Sequence, residues 1–125
     1  MKKTITFFCL LAFLYFIPNT FAQCITAPNG LFRSNTITPN CSGNYETITS
    51  QSYAGEYSNV NVIANKQYSF SSSVSTDYIT ITNETGTIVY ASGTQPVMWD
   101  SGSTTGVIRY YLHSNANCAS EQVNR

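Results

Sequence analysis

The chain has 125 residues, which bounds it to a single domain. Only 10% of its residues are charged, six basic against six acidic, with no run of either sign. Such a balance supplies no electrostatic footprint for nucleic acid or for an anionic membrane surface.

Taken in order, the first element is a secretory signal over residues 1–22. Lys2 and Lys3 form a positive start, residues 5–17 an apolar run, and Pro18 and Asn19 break it. Thr20-Phe21-Ala22 then fits a small-x-small cleavage site. The run is too short to anchor the chain across a bilayer, so no membrane span is expected after cleavage. Lipidation at Cys24 calls for a small residue before it, and Gln23 is not small. The mature part, residues 23–125, holds four basic residues (Arg33, Lys66, Arg109, Arg125) and six acidic ones, a net charge of −2. Its polarity comes from Ser, Thr and Asn, while its tyrosines and regularly placed apolar residues argue against disorder.

Residues 23–40, with Pro28, Asn29-Gly30 and Pro39, read as an irregular lead-in. From there the period is two, and no stretch repeats at helical spacing. Strands are predicted over 45–50, over 57–64 with Val60 and Val62 on one face, and over 67–73 with Tyr68 and Phe70 inward. A strand over 77–83 carries Ile79 and Ile81. It is joined by Glu84-Thr85-Gly86, a tight hairpin connection, to a strand over 87–92 that stops before Gly93. In 96–100, Pro96 points to an edge strand or a strand start. After a Gly/Ser/Thr loop, 106–114 is the strongest strand, with Ile108, Tyr110 and Leu112 on one face and Val107, Arg109, Tyr111 and His113 on the other. About seven short strands with turn signals every 8–12 residues predict an all-β fold, a small antiparallel two-sheet β-sandwich over residues 41–125. A small β-barrel is the alternative.

Export places the chain in an oxidising compartment, secreted or periplasmic, where a disulfide can persist. Cys24, Cys41 and Cys118 remain after cleavage and allow three pairings. Cys41 with Cys118 is preferred, because these two flank the patterned region.

No catalytic constellation emerges. His113 is the single histidine and reads as a surface residue near the end of the last strand; no G-x-S-x-G elbow accompanies it. The acids are scattered and select no carboxylate pair. The loop 102–106 has glycines at both ends, but it precedes a strand and lacks the lysine of a phosphate-binding loop. No CxxC, CxxH or D-x-D-x-D-G spacing indicates a metal. No enzyme activity and no cofactor are therefore expected. Asp77 and Arg109 lie on strands that can be neighbours and form a candidate structural ion pair. Trp99, Tyr111 and His113 are the candidate ligand-binding residues. Trp99 and the tyrosines could build a flat platform for sugar rings, although such rings serve first as sandwich core.

The stretch from Ala54 to Val62 (AGEYSNVNV) resembles a recurring module of secreted proteins from Bacteroidetes-type bacteria. So do residues 68–73 (YSFSSS), 76–81 (TDYITI), 93–99 (GTQPVMW) and 106–113 (GVIRYYLH). The resemblance runs from Cys24 to Arg125 and extends, more distantly, to pre-peptidase C-terminal β-sandwiches. It implies a non-catalytic module, appended to secreted enzymes and adhesins or standing alone, with no catalytic residues to carry over. The module usually continues past Asn124-Arg125 to a further cysteine. That implies a Cys24 without its partner and supports the Cys41–Cys118 pairing. Ala119 stands where the module usually has glycine. No C-terminal sorting domain follows, which implies an export route ending in the periplasm.

The expected function is a non-catalytic binding or adhesion module of the cell envelope, with a polysaccharide or an envelope protein as partner. The alternative is a purely structural envelope protein, or a remnant of a longer secreted protein, with no ligand of its own.

Overall fold

Alternating residues can bury one row only if a second layer covers it, and here that layer is a second sheet. The computed structural model describes residues 23–125; the signal expected over 1–22 and its cleavage site lie outside the described residues. Seven strands follow one another: β1 (Gly30–Leu31), β2 (Glu56–Val62), β3 (Gln67–Phe70), β4 (Tyr78–Asn83), β5 (Val89–Thr94), β6 (Val97–Asp100) and β7 (Gly106–His113). They form a five-stranded sheet in the order β1-β2-β7-β4-β5 and a two-stranded sheet, β3-β6. The fold is an all-β, sandwich-like arrangement of two sheets; no barrel closes. No helix of the described residues is long and apolar enough to cross a membrane.

The inner row of the large sheet packs against that of the small one. Val60 and Val62 of β2, Ile79 and Ile81 of β4, and Ile108, Tyr110 and Leu112 of β7 meet Tyr68 and Phe70 of β3 and Val97 of β6. Burying each aliphatic side chain contributes about 1.5–3 kcal/mol. β7 is the central strand, antiparallel to β2 on one side (Val60 opposite Ile108) and to β4 on the other (Ile81 opposite Tyr110).

Several boundaries differ from the alternation pattern, each for a local reason. No strand forms over 45–50. There, short polar side chains bond nearby backbone N–H groups: Glu46 Oε2 accepts from Asn40 N at 2.7 Å, Asn40 Oδ1 from Ser42 N at 2.8 Å, and Thr49 Oγ1 from Gln51 N at 3.0 Å. Such bonds compete with a ladder. The segment instead crosses the open side of the molecule as a strap, with Ile48 against the core. β5 starts two residues later than expected because Asn83 Oδ1 accepts from Thr87 N (2.8 Å) and Ile88 N (3.0 Å), and it continues through Gly93, which pairs with Ile79. The lead-in is also partly ordered as sheet. β1 runs parallel to β2, and Ile37 bridges Val60 farther along the same edge.

The disulfide corrects the expected pairing. It joins Cys24 to Cys118, with Cα atoms 5.1 Å apart, and Cys41 is a free, exposed thiol. Flanking the patterned region is not proximity. Asn29 N bonds Gly55 O (3.0 Å) and β1 follows β2, so the lead-in carries Cys24 toward the end of β7, close to Cys118. Cys41 lies instead on the strap side, among Tyr68 and Met98. In the chain-entropy model, bridging residues 94 apart stabilises the fold by ~4.7 kcal/mol.

A hydroxyl-lined cleft on the open inner face

The candidate site arises where the small sheet ends. β3 stops at Phe70 and the chain continues as Ser71-Ser72-Ser73, so the large sheet's inner face beyond Val60 has no strand above it. The inner row of β2 changes character at the same place. Val60 and Val62 are apolar, while the next inward position is Ser58, directly opposite Tyr110. The strap arches over this region and leaves a cleft of about 460 Å³. Ser58, Tyr110 and Leu112 lie on the inner sheet face at its floor; Ser71 to Ser73 and residues 45–52 line its two sides.

Ser58 is 7% exposed and Ser52 is 9% exposed, and neither hydroxyl has a hydrogen-bond partner among the described residues. The Tyr110 hydroxyl is already committed, donating to Ser71 O at 3.0 Å, and burial pushes its pKa well above the ordinary tyrosine range. Tyr45 stands at the rim, 72% exposed, its hydroxyl 2.9 Å from Ser69 Oγ. It also borders a second cleft of about 430 Å³ on the far side of the strap, lined by Ile37, Val60, Tyr68 and Met98.

Arg125 closes the first cleft at one end without offering its charge. Its backbone N bonds Ser52 O (3.0 Å), its Nε donates to Asp77 Oδ2 (2.9 Å), and its Nη2 donates to Glu121 Oε2 (2.6 Å). The Ser72 hydroxyl also donates to Asp77 Oδ2, while Asp77 Oδ1 has no partner among the described residues. Burial opposes the guanidinium charge, but Asp77 and Glu121 outweigh it and hold the Arg125 pKa above its ordinary value. This pair replaces the expected one between Asp77 and Arg109. β4 and β7 pair Tyr78 with His113 and Thr82 with Arg109, so Asp77 falls level with Ser114, about 17 Å along the sheet from Arg109. Arg109 lies instead over the Tyr57 ring, 4.5 Å from its centroid, and donates to the Tyr111 hydroxyl at 3.1 Å.

The three candidate ligand-binding residues do not come together. Trp99 is half-buried on the inner face of β6. Tyr90 stacks on it at 5.2 Å and 10°, and Tyr68 at 6.1 Å, so tyrosine rings already pack against the indole. Tyr111 is 2% exposed, packed on Tyr57 and sealed by the β4–β5 turn. A Cβ on Gly86, which has a positive φ, would lie 2.5 Å from the Tyr111 hydroxyl. His113 is no surface histidine. It is fully buried, its Nε2 donates to Thr26 O at 2.8 Å, and its Nδ1 has no partner among the described residues. Burial pushes its pKa down, with the Thr26 carbonyl partly opposing. The lead-in, absent from any alternation argument, is what covers it.

Sequence reading missed Ser52, Ser58 and Tyr45. A serine in an inward position next to Val60 and Val62 was the available signal. Among the described residues no group of three or more His, Cys, Asp or Glu side chains could hold a metal ion. No family model, no curated protein and no solved structure matches this chain at a significant level.

Proposed function

We propose that this is an exported, non-catalytic binding module of the cell envelope, and that it binds through the serine-lined cleft. The observation that carries the reading is the hydroxyl lining of the cleft, where the hydroxyls of Ser58 on the sheet face and Ser52 on the strap have no hydrogen-bond partner among the described residues and open into the cleft. A sandwich needing only stability gains more from apolar groups at these positions, since burying apolar surface is the main favourable contribution to folding. The cleft volume falls within the range of about 300–1,000 Å³ usual for ligand sites. The buried state of His113, with Nε2 committed to Thr26, supports a role without acid–base chemistry. The resemblance of the strand segments to exported envelope modules supports the location.

The test uses protein recovered from the periplasm or medium, where sequencing should place its first residue at Gln23. It is passed over immobilised envelope fractions and insoluble polysaccharides beside Ser71→Arg, which fills the cleft from an exposed position. Retention lost in the variant is expected. Retention that Ser71→Arg leaves intact, or protein found only in the cytosol, overturns the reading.

A further inference from the structure

We infer that the ligand of this cleft is an uncharged carbohydrate segment, hydrogen-bonded by the Ser58 hydroxyl on the floor and the Ser52 hydroxyl on the side wall and stacked at the rim on Tyr45. The inference rests on the binding-module reading and narrows it to one chemistry.

Charge comes first. Among the described residues, Glu46 and Arg125 are the only charged side chains lining the cleft. Glu46 Oε2 is engaged with Asn40 N, and the Arg125 side chain is 1% exposed between Asp77 and Glu121. Among the described residues no free cation meets a phosphate, sulfate or carboxylate, and the exposed Glu46 carboxylate, which accepts a single backbone N–H, adds a negative charge at the mouth that disfavours such anions. An apolar ligand fits no better. It would strip water from Ser52 and Ser58 and return no hydrogen bond. An extended peptide gains most of its affinity by pairing with a sheet edge. The floor here is a sheet face whose Ser58–Tyr110 pair sits inside the β2–β7 ladder.

A sugar satisfies what remains. Serine hydroxyls both donate and accept, as sugar hydroxyls do. The CH face of a pyranose can lie on an aromatic ring, and Tyr45 offers one already oriented by its bond to Ser69. Preorganisation of this kind reduces the entropy lost on binding.

The test is affinity electrophoresis of the purified protein in native gels containing a neutral glucan, mannan or galactan, with polygalacturonate as the anionic arm. At least one neutral polymer should retard the wild type. Ser58→Ala, which removes the hydroxyl at nearly constant volume, should weaken that binding about tenfold. Tyr45→Ala should weaken it about fivefold, and Tyr45→Phe should restore most of the loss because the ring is kept. Ile88→Ala, exposed and away from the cleft, should change nothing.

Equal retardation of wild type, Ser58→Ala and Tyr45→Ala overturns the inference, as does retardation by polygalacturonate alone. So does an absence of retardation by every neutral polymer while Ser71→Arg still abolishes binding to envelope fractions. In that last case the binding-module reading survives without its carbohydrate. Loss of both signals removes both readings.

Discussion

The inner face of the large sheet has two halves made from the same strands. Over one half, Val60 and Val62 of β2 meet the aromatic row of β3, and nothing polar intervenes. Over the other, one register step along β2, Ser58 faces Tyr110 beneath a strap that forms no ladder. Strand pairing is continuous across both halves, so the backbone does not distinguish them. The difference lies in the cover, a regular sheet over one half and a locally hydrogen-bonded strap over the other. A sandwich can thus open a cleft on its inner face without giving up a ladder bond.

The largest expected effect lies at the boundary of the open half. Arg125→Met leaves the buried Asp77 carboxylate without its cation, and Asp77→Asn leaves the buried guanidinium with only the half-exposed Glu121. Each should lower unfolding stability by about 3–5 kcal/mol in urea titrations. The double substitution should recover part of that loss. If both single variants lie within 1 kcal/mol of wild type, by the yardstick of ~1 kcal/mol for an ordinary substitution, the end of the cleft is not held by this pair.

Next comes a direct contrast between the halves. Ile108→Ala, opposite Val60, should destabilise by about 2–5 kcal/mol through lost burial and a cavity. Ser58→Ala, two positions along the same strand, should stay within about 0.5 kcal/mol. Similar values for both would erase the distinction drawn here. The smallest effect concerns His113, on the outer face. Its folded pKa lies below the unfolded value of about 6.5, so the unfolded chain binds the extra proton first. Its contribution is complete above that pH and is lost as pH falls from there toward the folded pKa, at no more than about 1.4 kcal/mol per pH unit. His113→Gln should flatten stability between pH 5 and 7, a window set by that pKa of about 6.5. An unchanged slope would assign the pH dependence to the carboxylates.

Much of the architecture was legible because the apolar row of each strand keeps a strict period of two. β2, β3, β4, β6 and β7 follow the expected positions of Val60, Tyr68, Ile79, Val97 and Ile108 closely. Alternation records which residues share a face, but not what covers that face. Tyr111 and His113 alternate properly, yet both are buried, because the Gly86 turn and Thr26 fold over the side expected to meet solvent. The disulfide and the Asp77–Arg125 pair were invisible for a related reason. Both join segments distant in sequence, and a parallel β1 or an antiparallel register must be known before such segments become neighbours. The cleft itself rests on a single polar residue in an apolar row, which a search for catalytic patterns passes over.

The central position of β7 bears on how the chain reaches this state. β2 and β4 both pair with it, and it is the last of the seven strands. Before residues 106–113 emerge, the large sheet can hold only its β4–β5 hairpin and the short β1–β2 edge, so most of the long-range order forms at once and late. Chains dominated by such distant pairings fold slowly. A chain of this design therefore completes its large sheet only once its last strand has been made.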